Sequence, residues 1–124
     1  MNGINFILDT NAIIYLLSGN NVMKQFLTNK FGLSIISKME LLSYSDIKEN
    51  DEIIIKDFLN ECIIINLNQN IEQTAISLRK KYKIKLPDSI VASTAICYNI
   101  PLITADKGFS KIKELNLVLI DPFI

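Results

Sequence analysis

Four carboxylates in this chain are embedded in apolar sequence, whereas the other acids lie in polar, helical surface patterns. Asp9 follows "INFIL", Glu40 lies in "SIISKMELL", Asp88 in "KLPDSIVASTA" and Asp106 in "PLITADKGF". Any one of them could be only a helix cap, because helix N-termini favour nearby negative charge. If they converge, each pair about 5 Å apart would repel by roughly 3 kcal/mol at an effective dielectric of about 20. Such a cluster must take up a proton or a cation.

The residue types favour a hard divalent metal. The chain contains no histidine, which excludes histidine-based catalytic triads and zinc sites. Carboxylate oxygens suit Mg²⁺ or Mn²⁺, and such an ion activates water and stabilises charge on a phosphoryl group. Asn11 and Thr104 carry side chains that can hydrogen-bond a carboxylate, although a first helical turn and a strand also accept these residue types.

The surrounding sequence predicts elements that would bring these acids together. Apolar runs with little alternation, typical of strands covered on both faces, occur at 4–8, 32–36, 62–66, 101–105 and 116–120. Helical patterns lie between them at 10–17, 21–29, 37–45, 49–61, 70–82 and 87–99. Strands that alternate with helices indicate an α/β fold with a mostly parallel sheet, whose strands end at one edge. The acids are expected at that edge.

Composition limits the class of protein. With 124 residues, 49% of them hydrophobic, the chain has the size of one domain, 1–124, with a substantial core. Its 13 basic and 13 acidic residues cancel, so binding of nucleic acid would need a local basic cluster. No signal-peptide or membrane-spanning pattern is present, and Cys62 and Cys97 are predicted to be buried thiols. A cytoplasmic protein without membrane contact is expected.

The segments "ILDTNAIIYLL", "LSIISKMELLSY", "RKKYKIKLPDSIVASTAICYNIPLITADKGF" and "LNLVLI" together resemble the PIN domain in its VapC toxin branch. One D-T-N is a weak signal. D-T-N followed by E-L-L, P-D-x-x-[IV]-A-x-T-A and T-x-D-x-x-F, in this order and over nearly the whole chain, is specific. The resemblance implies a PIN-like three-layer α/β/α domain around a central, mostly parallel sheet of about five strands.

The resemblance also implies a metal-dependent ribonuclease that uses Mg²⁺ or Mn²⁺. It carries the four acidic positions of the family onto Asp9, Glu40, Asp88 and Asp106. Asp9 and Asp88 would bind the metal, Asp106 would bind it directly or through water, and Glu40 would shape the site. Asn11 and Thr104 match the polar supports of the family. The implied partners are RNA, a second copy in a homodimer and a cognate VapB-like antitoxin whose tail occupies the acidic pocket.

One basic cluster is a candidate for RNA contact. "RKKYKIK" leads directly to Asp88 and supplies the cations Arg79, Lys80, Lys81, Lys83 and Lys85. An RNA backbone needs local positive charge beside an acidic pocket. The alternative is a solvated helix end, where basic side chains suit the helix dipole. Lys107, beside Asp106, is a further candidate for phosphate contact.

Two other readings of an acid after the first strand do not fit. A phosphatase of the aspartyl-phosphate type expects a second Asp two residues on, where Asn11 stands. A receiver domain expects an Asp at the end of its third strand, but "CIIINLNQN" contains no acid. Two alternatives stay open: an RNA-processing PIN nuclease outside a toxin–antitoxin pair, and a non-catalytic PIN scaffold that binds RNA or protein.

Overall fold

Short apolar runs pair into a parallel sheet in the computed structural model, which describes residues 3–43 and 47–123. The five strands in these ranges are β1 (Phe6–Leu8), β2 (Phe31–Ser34), β3 (Ile63–Ile65), β4 (Leu102–Thr104) and β5 (Leu117–Leu119). Their order is β3-β2-β1-β4-β5, and every neighbouring pair is parallel. In the central strand β1, Ile7 lies opposite Gly32 of β2 and Leu102 of β4. The carboxyl ends of these strands therefore lie along the same edge of the sheet.

Helices connect the strands and begin at recognisable caps. They are α1 (Thr10–Leu17), α2 (Ile35–Leu42), α3 (Glu49–Glu61), α4 (Gln69–Lys81) and α5 (Leu86–Tyr98), with 3₁₀ turns at Asn21–Phe26 and Lys107–Lys111. Asp9, Ser34 and Asn68 accept hydrogen bonds from backbone N–H groups of the first turns of α1, α2 and α4. The α5 helix ends at Asn99, which adopts φ 53°, a left-handed conformation that asparagine tolerates.

Two apolar cores cover the two faces of the sheet. Ile7 and Leu102 pack with the buried residues of α4 and α5, including Ile71 and Val91. The adjacent strand residues Leu8, Leu33 and Ile103 point the other way and pack with α1, α2, α3 and the first 3₁₀ turn. Because both faces are buried, the strands are apolar except for Ser34 and Thr104, which stand at the ends of β2 and β4.

The architecture confirms the predicted three-layer α/β/α fold with five central strands. The second predicted strand, 32–36, was placed too far along the chain, because Ser34 ends β2 by capping α2 through the Ile36 N–H. The predicted helix at 21–29 is a 3₁₀ turn over Asn21–Phe26. The predicted helix at 37–45 begins earlier, at Ile35, and its last residues, 44 and 45, lie outside the described ranges.

The prediction of two buried thiols was wrong for Cys97, which is exposed, while Cys62 is partly buried. Cys97 lies one position from the end of α5, on the outer side of a helix whose middle is buried. None of the described helices is long and apolar enough to cross a membrane.

The core of the sheet can be tested with the substitution Ile103→Ala. Ile103 is fully buried in β4, so the cavity should lower the free energy of unfolding by about 3–4 kcal/mol. The matched control is Ile76→Ala on α4, where the side chain is 49% exposed and the expected loss is below about 1 kcal/mol. Urea denaturation measures both, and similar losses for the two variants would contradict the assignment of the core.

Candidate active site

Asp9 occupies the turn between the central strand and α1. Its backbone N–H donates to the carbonyl of Ile103 at 3.0 Å, which ties the turn to β4. Its Oδ1 accepts from the Thr10 N–H at 2.9 Å, so the carboxylate caps α1. The side chain is only 6% exposed. A carboxylate is thus enclosed at the end of β1 with its position set by two strands and one helix.

Thr104 and Asn11 hold the second oxygen of Asp9. The Thr104 hydroxyl donates to Asp9 Oδ2 at 2.8 Å, and the Asn11 Nδ2 donates to the same oxygen at 3.2 Å. Asn11 Oδ1 in turn accepts from the Ala105 N–H at 2.9 Å, and Thr104 Oγ1 accepts from the Asp106 N–H at 3.1 Å. The network joins the turn after β1 to the turn after β4, and so places Asp9 and Asp106 at neighbouring strand ends.

Glu40 is tied to this turn from the other side. It lies on α2, which follows β2, and its Oε1 accepts from the Thr10 hydroxyl at 2.6 Å. Sequence reasoning missed this role of Thr10. The residue stands within the D-T-N motif itself, and its hydroxyl was the available signal.

Asp88 and Asp106 complete the group. Asp88 lies in the first turn of α5, next to Pro87, and is partly buried. The C-terminal end of α5 lies near the start of β4, because the helix leads directly into that strand. The first turn of α5, which carries Asp88, therefore lies near the carboxyl ends of the strands. Asp106 follows β4, and its Oδ1 accepts from the Gly108 N–H at 2.8 Å, which caps the second 3₁₀ turn.

The shifted pKa values show that the acids act on one another electrostatically. Burial raises the pKa of Asp9 from 3.8 to about 6; hydrogen bonds from Thr104 and Thr10 oppose this rise, and the charges of Asp88 and Glu40 add to it. The pKa of Asp88 is raised by burial, and then by the charges of Asp106 and Glu40. The chain therefore holds these carboxylates close enough to disfavour one another's ionised forms.

The donor set has the chemistry of a divalent-cation site. Among residues 3–43 and 47–123, no three acidic or Cys side chains are close enough together to hold a metal ion as they stand. The oxygen donors nevertheless fit Mg²⁺ or Mn²⁺, because a cation would offset the burial and the mutual repulsion that raise the pKa values of Asp9 and Asp88.

Two lysines act on Asp88, and one was missed from the sequence. The positive charges of Lys85 and Lys111 lower the pKa of Asp88, against the effect of its burial. Lys111 ends the second 3₁₀ turn, and its Nζ donates to the carbonyl of Lys83. No motif marked Lys111, because its approach to Asp88 depends on how the chain after β4 folds against the segment before α5.

The remaining cations of the basic cluster divide by position. Lys81 forms an ion pair with Glu114 at 3.5 Å, and the neighbouring Tyr82 hydroxyl donates to Glu114 at 2.6 Å. Arg79 Nε donates to the carbonyl of Ile84 at 3.4 Å. The side chains of Lys80, Lys83 and Lys107 are exposed. RNA contact by this cluster stays a prediction, and Lys85 is the member that the structure places in the field of Asp88.

Comparison with known proteins identifies the family of this chain. The family model of the PIN domain matches residues 6–115, which include the strands β1 to β4 and all four acids. No curated protein matches the chain. Among solved structures, a chain of the toxin–antitoxin complex from Klebsiella pneumoniae is 34% identical, with a TM-score of 0.79 over 95% of this chain and 98% of that one.

Two further solved structures have the same fold. A chain of VapBC2 from Rickettsia felis, bound to a DNA fragment from the promoter, is 27% identical, with a TM-score of 0.79 over 95% of this chain and 100% of that one. A chain of VapBC-1 from nontypeable Haemophilus influenzae is 24% identical, with a TM-score of 0.76 over 94% and 98%. With the family model matching most of its length, this chain belongs to the PIN domain family.

Proposed function

We propose that the chain is a metal-dependent endoribonuclease toxin that hydrolyses RNA phosphodiester bonds and is inhibited by a cognate antitoxin. The observation that carries this proposal is the enclosed carboxylate of Asp9, which shares an electrostatic field with Asp88 and Glu40 at the edge of the sheet. Membership of the PIN domain family supports the nuclease activity, and the similarity to chains of toxin–antitoxin complexes supports the biological role.

Asp9, Asp88 and Asp106 would hold Mg²⁺ or Mn²⁺, which when bound supplies an activated water and stabilises charge on a phosphoryl group. The residues of the chain set up the rest of the site. Thr104 and Asn11 keep Asp9 Oδ2 in one orientation, and Thr10 keeps Glu40 Oε1 beside it. This preorganisation avoids reorienting the ligands during the reaction.

Cations beside Asp88 would bind the RNA backbone. Lys85 and Lys111 already oppose the negative field there, and both are exposed. Phosphate groups approaching an acidic site need such compensation, because binding of nucleic acid depends mainly on neutralised phosphates. Lys111 therefore joins the basic cluster as a candidate for contact with RNA.

A VapB-like antitoxin is the proposed protein partner. An apolar groove of about 320 Å³ lies between α1, α2 and α3 and includes Ile14, Leu41 and Ile54. Ile14 and Ile54 are both exposed, and Ile14 lies one helical turn after Thr10, the residue that holds Glu40. A protein segment bound in this groove would lie next to the acids. The homodimer and the cytoplasmic location stay predictions.

The alternatives differ in what they predict. A PIN nuclease outside a toxin–antitoxin pair would cleave RNA but would have no inhibitory partner. A non-catalytic scaffold would keep its fold and partners without metal-dependent cleavage. The cleavage assay and the partner-binding assay below separate these readings.

Removing a single acid should abolish cleavage. Asp9→Asn and Asp88→Asn keep the side-chain shapes but lose a metal-binding charge, so the rate of RNA cleavage in Mg²⁺ should fall at least about a hundredfold. Asp57→Asn, on the exposed surface of α3, is the matched control and should retain activity. The measurement is cleavage of total RNA with Mg²⁺, Mn²⁺ or EDTA. Activity in EDTA equal to that in Mg²⁺ would end the metal hypothesis.

The pH dependence of stability should carry the signature of Asp9. Its pKa is about 6 in the folded state against an ordinary 3.8, so the folded state keeps the proton between about pH 4 and 6. The free energy of unfolding should therefore fall as pH rises through this window, with Asp9 contributing a loss of about 3 kcal/mol by pH 7.

The test is urea denaturation of the metal-free protein in EDTA from pH 4 to 8. Asp9→Asn should reduce the fall, while Asp57→Asn should leave it unchanged. Mg²⁺ should stabilise the wild-type protein more at pH 7.5 than at pH 5, because the ionised carboxylates bind it. Parallel curves for wild type and Asp9→Asn would show that Asp9 is not the titrating group.

The partner surface can be tested with the product of a small reading frame encoded next to this chain. The two proteins should form a complex that does not cleave RNA. Ile54→Asp should weaken that complex at least about tenfold, because it places a charge in a buried apolar contact. Ile76→Asp, on the exposed face of α4, is the control. Isothermal titration calorimetry gives the affinities. Equal affinities for both variants would show that the interface lies elsewhere.

A further inference from the structure

A second concave surface lies beside Asp106 and is separate from the groove between α1, α2 and α3. It has a volume of about 530 Å³ and is lined by residues that include Tyr15, Ala105, Lys107, Leu119 and Phe123. Ala105 follows β4 and Leu119 ends β5. Because these neighbouring strands are parallel to β1, the groove opens at the same edge of the sheet as the acids.

Aromatic and charged groups line this groove. The Phe123 side chain is 90% exposed, and Tyr15 from α1 also lines the groove. Lys107 adds a positive charge next to Asp106. An exposed aromatic ring that lines a groove together with a second aromatic residue and a cation offers the kind of surface on which an unstacked base can pack.

The segment that carries Phe123 is held in place. The Phe123 N–H donates to Asp121 Oδ1 at 3.0 Å, and the Asn20 side-chain amide donates to the carbonyl of Pro122 at 3.1 Å. Asn20 follows α1, so the wall of the groove is fixed to the helix that also carries Asn11. The ring is therefore presented by an ordered turn.

We propose that this groove binds one unstacked nucleobase of the RNA substrate, against Phe123 and Tyr15, while the adjacent phosphate lies at the carboxylates. The inference rests on the proposed ribonuclease activity. Single-stranded RNA is recognised by bases that leave their stack and pack on aromatic side chains. Ala105 and Lys107, which line the groove, flank Asp106 in the chain, so the groove lies next to this acid and one nucleotide would span the two.

Charge favours a nucleotide over the other occupants. A second copy of the chain or a protein segment would have to bury the charges of Lys107 and Asp121 at the groove, which is costly without matched partners. A nucleotide instead places its phosphate near Lys107, while Asp121, which accepts a hydrogen bond from the Phe123 N–H, stays exposed to water. Dimerisation through this surface is one outcome that the experiment must detect.

The experiment uses the Asp88→Asn protein, in which cleavage is expected to be lost, and a fluorescein-labelled single-stranded oligoribonucleotide in Mg²⁺. Fluorescence anisotropy measures binding of the intact oligonucleotide and of a series with one abasic position each. Adding Phe123→Ala should weaken binding of the intact oligonucleotide about tenfold, as expected for one stacked base. One oligonucleotide of the abasic series should lack the base that packs on Phe123. For that oligonucleotide, Phe123→Ala should cause no loss of affinity, because the contact is already absent.

Leu27→Ala is the matched control, since Leu27 is 62% exposed and precedes β2, at the opposite edge of the sheet. It should leave the affinity unchanged. Equal affinity with and without Phe123→Ala overturns the proposal, as does a loss that is the same for every abasic position. A change of mass by light scattering on Phe123→Ala would identify a contact between copies and would also overturn it.

Cleavage by the otherwise wild-type protein separates this inference from the ribonuclease proposal. If the wild-type protein cleaves RNA in Mg²⁺ and Phe123→Ala cleaves equally well at limiting substrate, the nucleobase site is wrong and the nuclease stands. If the wild-type protein cleaves no RNA in Mg²⁺ or Mn²⁺, the ribonuclease proposal fails, and the nucleobase inference that rests on it falls as well.

Discussion

The enclosure of the Asp9 carboxylate is the constraint on which the site depends. An ionised group with 6% exposure is costly to bury, and its pKa rises accordingly to about 6. Hydrogen bonds from Thr104, Asn11 and the Thr10 N–H offset part of that cost. The remaining cost of burying Asp9 is tolerated because β1 and β4 hold the turn between two packed cores. The fold keeps a charge where an unconstrained chain would let it reach water.

The parallel sheet explains how residues far apart in the chain come to share one field. β1 and β4 are separated by most of the sequence, yet they are neighbours in the sheet, and both turns that follow them carry acids. The helix α2 adds Glu40 and the first turn of α5 adds Asp88. Each acid is positioned by an ordinary feature of α/β proteins, and only their convergence creates the chemistry.

The strands and the layers could be predicted from the sequence, because burial on both faces leaves continuous apolar runs. The four acids could be singled out because they are embedded in apolar sequence. The partners of individual side chains could not be predicted. Lys111 acts on the pKa of Asp88 because of the path that the chain takes after β4, and no local pattern encodes that path. Cys97 looked buried because the middle of α5 is apolar, but its position near the helix end faces outwards. The groove at Phe123 arises from a turn held by Asn20, 102 residues away in sequence.

The uneven distribution of charge gives the site a direction. Asp88 is approached by Lys85 and Lys111, whereas the charged groups that shift the pKa of Asp9 are both acidic, Asp88 and Glu40. Beyond Asp106 the surface turns positive again at Lys107 and then aromatic at Phe123. An RNA strand bound as proposed would therefore cross the sheet edge from the start of α5 to the end of β5, with cations on both sides of the acids. Burial and mutual repulsion raise the pKa values of Asp9 and Asp88, and a cation bound between the acids would offset both effects.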